Sequence, residues 1–547
     1  MDSAMDGPAL DIRGLTVSLP KGADREFAIE DVSITVDRGE IVCVVGESGS
    51  GKSVTAFTVM GLHPRRELKP VAGEIFLEGT DLLKLSDRHI RKLRGEKMAM
   101  IFQEPMTALN PVMKVGDQVG EMLEIHTDFG PRERRDRVIE VMRDVELPDP
   151  EGTFHAYPHQ ISGGQRQRVM IAMALALEPG LLIADEPTTA LDVTTQARIL
   201  ELIKSIQRDR GMGVMFITHD FGVVADIADR VVVMQHGRVV EQGSRQQVLT
   251  RPSHPYTRML IGSVPSLEPP ERRVRDRQET VLEARGLNKV YGHAGLLGTG
   301  RVVHAARDVN LVVQRGETLG VVGESGSGKS TLARCIVRLV DPTDGHIQID
   351  GEDIATLRES ALRPYRRHIQ IVFQDPYRSL NPRRTVGQSI VEGPMNFGMG
   401  GDEAHEKARD LMRVVGLESE VLDRFPHQFS GGQRQRLCIA RALAMEPRVL
   451  IADEAVSALD VSVQAQVLDL LARVRDQFDL AMLFITHDLR VAAQICDRIM
   501  VMREGVVVEE GPTRDVYTAP RHDYTVSLLD AAPGRNMAFL TDAETGG

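Results

Sequence analysis

The sequence predicts an α/β fold repeated in tandem, each copy built on a mixed-sheet core. Three observations carry this. The glycine-rich octapeptide GESGSGKS stands at residues 46–53 and again at 323–330. The same later motifs follow both copies in the same order: IFQEP (101–105) answers VFQDP (372–376), ISGGQRQR (161–168) answers FSGGQRQR (429–436), LLIADE (181–186) answers VLIADE (449–454), and FITHD recurs at 216–220 and 484–488. Each copy also opens with short β-patterned segments and continues with apolar strands that alternate with helical stretches.

The spacing between copies is nearly constant. It is 277 residues between Lys52 and Lys329, 271 between Gln103 and Gln374, and 268 from the SGGQ serines through the DE glutamates to the histidines. That is a duplicated domain of roughly 260 residues. The two drops place length changes in loops, one before each glutamine and one between glutamine and SGGQ. Domain 1 is expected over residues 1–264 with a C-terminal tail from about 245, and domain 2 over 281–547 with a tail from about 512. The proline-rich, charged stretch 265–280 (SLEPPERRVRDRQET from Ser266 onward) reads as the linker.

Composition narrows the class. Of 547 residues, 42% are hydrophobic and 26% charged, the balance of a soluble globular chain. A formal net charge of −12 argues against a nucleic-acid partner. Cys43, Cys335, Cys438 and Cys496 share no short metal-ligand spacing and read as free, buried thiols of a reducing compartment. The opening MDSAMDGPAL is acidic and carries no basic-plus-apolar targeting signal. The longest apolar run, VMIAMALAL at 169–177, is about half of what a membrane span needs. The chain is therefore expected not to cross a membrane itself, and any membrane work requires a partner with spanning helices.

The octapeptide is a phosphate site by chemistry. IVCVV (41–45) is a β-branched strand, the glycines follow at once, and a helix-forming stretch comes next. Through Gly46, Glu47, Ser48, Gly49, Ser50, Gly51, Lys52, Ser53 and Val54 the backbone curls so that its N–H groups face one anion, and the helix start adds partial positive charge. Lys52 is placed to reach the outer phosphates and the Ser53 hydroxyl to hold Mg²⁺. In the second copy Gly323, Glu324, Ser325, Gly326, Ser327, Gly328, Lys329, Ser330 and Thr331 follow Val321-Val322 in the same way. Asp185 and Asp453 end apolar strands, where a carboxylate serves Mg²⁺ directly or through water. Glu186 and Glu454 come next, placed to polarise an attacking water, a role that typically contributes ~10²–10⁴ in rate. Taken alone, an SGGQ segment is a helix-start cap, with Ser162 or Ser430 accepting from backbone N–H groups.

In this order, P-loop, FQ, SGGQ, ADE, ALD and THD resemble the ATP-binding cassette (ABC) ATPases, over nearly the whole chain and twice. The resemblance implies two tandem ABC-type P-loop domains, each with a mixed-sheet core, an antiparallel β subdomain and a helical subdomain. It also implies that cassettes pair head to tail, so that the SGGQ of one closes on the nucleotide held by the P-loop of the other. Site one would then combine residues 46–53, Gln103, Asp185, Glu186 and His219 with Ser430, Gly431, Gly432 and Gln433. Site two would combine residues 323–330, Gln374, Asp453, Glu454 and His487 with Ser162, Gly163, Gly164 and Gln165. By the same resemblance Gln103 and Gln374 contact Mg²⁺ and water, His219 and His487 contact the γ-phosphate, and Asp192 and Asp460 form the D-loops.

Two departures stand out. Tyr291 sits where an aromatic residue stacks on adenine, but its counterpart is Leu19, with Phe27 as a substitute. Copy one reads ADEPTTALD and copy two ADEAVSALD, so Ala455 replaces a usual proline. Both acid pairs and both SGGQ segments are intact, and both sites are expected to hydrolyse ATP.

The segments after the glutamines (106–119 and 377–390), YPHQ and FPHQ before SGGQ, and the tails at 251–265 and 520–534 are similar to importers of the dipeptide/oligopeptide class. Physics alone would read each tail as an ordinary capping helix. The resemblance implies an energy-coupling ATPase with Mg²⁺ and no iron–sulfur cluster. It implies two transmembrane permease subunits docked between each glutamine and SGGQ, an extracytoplasmic substrate-binding protein, no nucleic acid, and a peripheral position on the cytoplasmic face of the membrane. The competing class is a soluble, ribosome-associated twin cassette, which usually has a longer, charged, helical linker. Repair cassettes with paired-cysteine zinc modules do not fit the four isolated cysteines.

Overall fold

The computed structural model describes residues 7–23, 25–63, 67–189, 191–271, 279–292, 302–457 and 459–535. The chain divides into two compact units, the first comprising Met1–Ser263 together with the segment from Pro533 onward and the second running Val264–Ala532.

The first unit holds strands β1 (Leu10–Ser18), β2 (Phe27–Val36), β3 (Ile41–Val45), β4 (Lys69–Leu77), β5 (Thr80–Asp81), β6 (Met98–Ile101), β7 (Leu181–Asp185), β8 (Gly213–Thr218), β9 (Arg230–Gln235) and β10 (Arg238–Ser244). They form two sheets. One is antiparallel, in the order β2-β1-β4-β5; the other runs β10-β9-β3-β8-β7-β6. In the larger sheet every pairing is parallel except the β9–β10 hairpin, so the sheet is mixed. Strands β3, β7 and β8 are buried along their whole length, which is why they read as unbroken apolar runs: a parallel sheet is covered on both faces. Leu10, Ile12, Ile34 and Ile75 of the antiparallel sheet share one buried cluster with Val42, Val44, Ile183 and Ile217 of the mixed sheet. Between β6 and β7 lies a helical section, Val115–His126, Pro131–Asp144, Pro150–His155 and Gly163–Leu175.

The second unit repeats the plan with β11 (Thr280–Tyr291), β12 (Val303–Gln314), β13 (Thr318–Val322), β14 (Asp344–Ile349), β15 (Glu352–Asp353), β16 (Ile369–Val372), β17 (Val449–Asp453), β18 (Ala481–Ile485), β19 (Arg498–Arg503) and β20 (Val506–Pro512). Its sheets run β12-β11-β14-β15 and β16-β17-β18-β13-β19-β20. Its helical section comprises Val386–Asn396, Gly401–Val414 and Gly431–Leu443.

Each unit ends in a pair of short helices, Arg245–Thr250 with Pro255–Gly262 and Thr513–Thr518 with Asp523–Asp530. Part of the expected linker is bonded to the second unit. The carbonyls of Ser266 and Glu268 accept from the Gln494 amide at 2.9 and 3.2 Å. Residues 272–278 lie outside the described residues, and β11 already begins at Thr280. All four cysteines are free and buried. Among the described residues no helix is long and apolar enough to cross a membrane.

Candidate nucleotide sites

Each unit builds its site where β3 or β13 runs into a helix. The chain turns at Gly46 and Gly323, both at φ 151°, where a Cβ would overlap the carbonyl oxygen of Met234 or Met502. Gly51 and Gly328 open the helices Lys52–Val59 and Lys329–Ile336 in left-handed conformation, which favours glycine. Lys52 is buried, and its Nζ donates to the Gly46 and Glu47 carbonyls at 2.6 and 3.0 Å. Lys329 does the same to Gly323 and Glu324 at 2.7 and 2.8 Å. The first residue after each lysine reaches the end of the acidic strand: Ser53 Oγ donates to Asp185 Oδ1 at 3.1 Å, and Ser330 Oγ to Asp453 Oδ1 at 3.0 Å. Hydroxyl and carboxylate make an all-oxygen donor pair that fits Mg²⁺, which is bound by one or two carboxylates plus substrate phosphates, whereas Gln103 and Gln374 donate from their Nε2 to Glu186 and Ser457. Among the described residues no group of three or more His, Cys, Asp or Glu is arranged to hold a metal. Such a cation would take the rest of its shell from phosphate and water.

Burial pushes Asp185 up to about 6, against the hydrogen bond from Ser53. Glu186 moves the other way. Burial would raise it, but the hydrogen bond and charge of His219, the charge of Lys52 and the Thr189 hydroxyl outweigh burial and bring it down to about 2. The adjacent acids are thus driven apart by their partners. Asp453 is likewise raised by burial, while Glu454 is lowered because His487 and Lys329 outweigh its burial. Both glutamates hold positive φ, 46° and 51°, a sparsely populated conformation for a residue with a side chain. Their amides are pinned at 2.9 Å to the Ile217 and Ile485 carbonyls of the neighbouring strands.

The two glutamates differ in their grip. Glu186 is bound by Gln103 Nε2 at 2.8 Å, Thr189 Oγ1 at 3.0 Å and His219 Nδ1 at 3.1 Å. His487 Nδ1 stands 3.5 Å from Glu454 Oε1, and Gln374 Nε2 donates instead to Ser457 Oγ at 3.4 Å. The cause is the residue three past each glutamate: Ser457 turns its hydroxyl to the Glu454 main-chain oxygen at 3.0 Å. The Ala455 departure leaves the turn itself unchanged. Thr189 N–H to Glu186 O and Ser457 N–H to Glu454 O both measure 3.2 Å.

The SGGQ segments begin the helices Gly163–Leu175 and Gly431–Leu443. Ser162 Oγ accepts from Gln165 N–H and Gln165 Oε1 from Ser162 N–H, at 3.2 and 2.8 Å; the second copy gives 3.3 and 3.0 Å. This is a reciprocal capping box. It holds the glycines in the first helical turn, and a Cβ on Gly164 would stand 2.7 Å from Thr195 Cγ2. Among the described residues the side-chain hydrogen bonds of Ser162 and Ser430 stay within their caps and do not reach the P-loop of their own unit. Asp192 caps the helix Val193–Arg210, accepting from Thr195 N–H at 2.9 Å, and Asp460 precedes the helix Val461–Phe478. Tyr291 ends β11, 39% exposed, with Lys289 Nζ 5.0 Å from its ring centroid. Leu19 follows β1, its N–H bonded to the Glu26 carbonyl at 2.9 Å just before Phe27 opens β2.

Three contacts escape motif reading. Arg25 donates to the Gly49 carbonyl at 2.8 Å. Tyr256 and Tyr524, in the tails, meet the amides of Glu47 and Glu324, each at 3.1 Å. The tyrosines carried a signal, since they lie 268 apart like the SGGQ serines; Arg25 has no arginine counterpart at any of the three spacings.

A twofold-repeated P-loop, an acidic strand end and a glutamate beside a histidine define a phosphate-cleaving nucleotide-binding protein. The sequence matches the family described as ABC transporter over residues 29–189 and 306–457, and the oligopeptide/dipeptide transporter C-terminal region over 240–292 and 508–538. It is 46% identical to the glutathione import ATP-binding protein GsiA of Salmonella typhimurium, across 96% of this chain and 89% of that protein. It is also 46% identical to the peptidoglycan transport ATP-binding protein YejF of Agrobacterium fabrum, across 96% of each. The dimeric ATP-binding cassette MJ0796 with ADP and Pi is 30% identical over 43% of this chain and 98% of its own, with a TM-score of 0.39. The chain belongs to the ABC transporter family, carries two cassettes, and is an ATPase.

Proposed function

We propose that this chain is the energy-coupling subunit of a membrane importer for peptides or peptide-like cargo such as glutathione. The observation that carries the reading is that both intact cassettes are followed by the oligopeptide/dipeptide C-terminal region. Lys52 and Lys329 bind outer phosphates; Ser53 with Asp185, and Ser330 with Asp453, hold Mg²⁺, which neutralises charge on the phosphates. Glu186 and Glu454 orient and deprotonate water, positioned by Gln103, His219 and His487. Pairing of each P-loop with the SGGQ of the other cassette is supported by the presence of both halves in each copy. Two permeases and an extracytoplasmic binding protein complete the transporter, and this chain sits at the cytoplasmic face.

The test is affinity capture from detergent-solubilised native membranes with mass spectrometry, followed by binding of glutathione and short peptides to the co-purified binding protein. Two polytopic permeases in stoichiometric amount are expected. Ribosomal proteins and rRNA in place of permeases would overturn the reading.

A further inference from the structure

Each tail touches the P-loop of its own unit at one residue, in the same way in both copies. The Glu47 N–H donates to the Tyr256 hydroxyl at 3.1 Å, and that hydroxyl donates to Glu47 Oε2 at 3.2 Å. One hydroxyl thus holds the second loop residue by backbone and side chain together. Its carbonyl is held from the other side by Lys52. In the second unit Glu324 N–H donates to the Tyr524 hydroxyl at 3.1 Å, and Lys329 holds the Glu324 carbonyl. Both rings are buried, 5% and 6% exposed.

The tyrosines are themselves fixed from the sheet. Glu241 of β10 accepts from Ser253 N–H at 2.7 Å, Ser253 Oγ at 2.8 Å and His254 N–H at 3.1 Å. Glu509 of β20 accepts from Arg521 N–H at 2.8 Å and His522 N–H at 3.1 Å. His254 Nδ1 then caps the helix by accepting from Tyr256 N–H at 3.2 Å, and His522 Nδ1 from Tyr524 N–H at 3.1 Å. Glutamate, histidine and tyrosine all recur at a spacing of 268. The anchoring strand β10 pairs with β9, which pairs with β3, the strand that delivers the P-loop. The contact therefore closes a ring of bonds from the sheet, through the tail, to the loop.

We propose that each tail is a strut for its own P-loop and that Tyr256 and Tyr524 are positioning residues that set ATP affinity. A helix that only covers apolar surface needs a ring, not a buried hydroxyl on a loop amide. An amide bound to that hydroxyl fixes the peptide plane at the loop entrance. When phosphate draws the lysine away from the Glu47 or Glu324 carbonyl, the tyrosine still holds the residue. The loop then pays less ordering cost on binding, which is preorganisation. This inference rests on the ATPase assignment and not on the cargo.

The test uses the full chain with Tyr256→Phe, Tyr524→Phe and both together. Phenylalanine keeps the ring and deletes one oxygen. Tyr517→Phe is the control: its hydroxyl donates to the Leu489 carbonyl at 2.6 Å, in the same tail but away from the loop. In the double variant KM for ATP should rise about fivefold, the equivalent of one net hydrogen bond at each loop, with kcat within about twofold of wild type. Equilibrium binding of Mg·ATP in the Glu186→Gln/Glu454→Gln background should weaken by the same factor. Tyr517→Phe should lower the melting temperature and leave KM unchanged. A wild-type KM in the double variant, or an equal rise in KM in Tyr517→Phe, would overturn the proposal, because the tail would then contribute stability alone.

Discussion

Gly46→Ala with Gly323→Ala tests whether the loop geometry is fixed by the sheet beneath it. A Cβ at Gly46 falls inside the contact radius of the Met234 carbonyl oxygen, with Ser50 Oγ a further 2.8 Å neighbour. An ordinary C···O approach is about 3.3 Å or more, so loop and strand must separate by about 1 Å. The strand cannot easily yield, since β9 is tied in register to β3, with Val45 opposite Val233. Overpacking of this kind costs about 1–3 kcal/mol, and the positive φ adds about 1–2 kcal/mol for a residue with a side chain. Together these correspond to a melting-temperature drop on the order of 10 °C for a unit of this size. A 1 Å displacement of the groups that position the phosphates costs about 10²-fold in turnover. The control is Gly49→Ala, also at positive φ (78°) but with nothing within 4 Å of its Cβ, so only the backbone cost applies. Differential scanning calorimetry and steady-state ATP hydrolysis read both quantities. Equal melting temperatures for Gly46→Ala and Gly49→Ala, or turnover in the double variant within tenfold of wild type, would refute the argument.

Glu186→Gln with Glu454→Gln should reduce hydrolysis by about 10²–10⁴ while retaining ATP, read by filter binding; undiminished turnover contradicts the general-base role. Tyr291→Ala should weaken ATP at the second P-loop alone, seen as loss of one class of sites in a titration with a fluorescent nucleotide. Glu241→Gln and Glu509→Gln should each destabilise by about 2 kcal/mol at pH 7, since hydrogen bonds to a charged acceptor are lost. Burial raises Glu241, but the amide and hydroxyl of Ser253 and the amide of His254 outweigh it and hold the carboxyl below its ordinary range. Its stabilisation is therefore present above the unfolded value of about 4.3 and is lost as pH falls through the lower folded value. Melting curves of wild type and Glu241→Gln should converge under acid, and a gap that persists there argues against the charged acceptor.

The parts legible in the sequence are those whose chemistry is written locally. Gly46, Gly51 and Lys52 must stand in fixed order because strand, turn and helix start are contiguous, and β3, β7 and β8 read as unbroken apolar runs because both faces are covered. The capping reading of Ser162 and Ser430 is equally local, and both serines do cap their helices. What stayed hidden is long-range. The Tyr256 hydroxyl finds its partner 209 residues earlier in the chain, and nothing in the pattern HPYT says where a hydroxyl points.

The duplication supplies its own comparison. Contacts that repeat in both copies, such as lysine on the loop carbonyls, serine on aspartate and tyrosine on the loop amide, survive different surroundings, as the proposed shared task of holding nucleotide would require. Contacts that do not repeat mark where the sites differ. Among the described residues, Arg25 on the Gly49 carbonyl and Thr189 on Glu186 occur in the first unit alone, and Lys289 over Tyr291 in the second alone. Both candidate glutamates are held below the ordinary carboxylate range, so ionisation near neutral pH does not distinguish them. The distinction lies in orientation. Glu186 is fixed by three side chains, whereas Glu454 faces a histidine at 3.5 Å and a glutamine turned toward Ser457. Should the two sites turn over ATP unequally, the expected origin is how firmly the glutamate is aimed, set by the third residue after it.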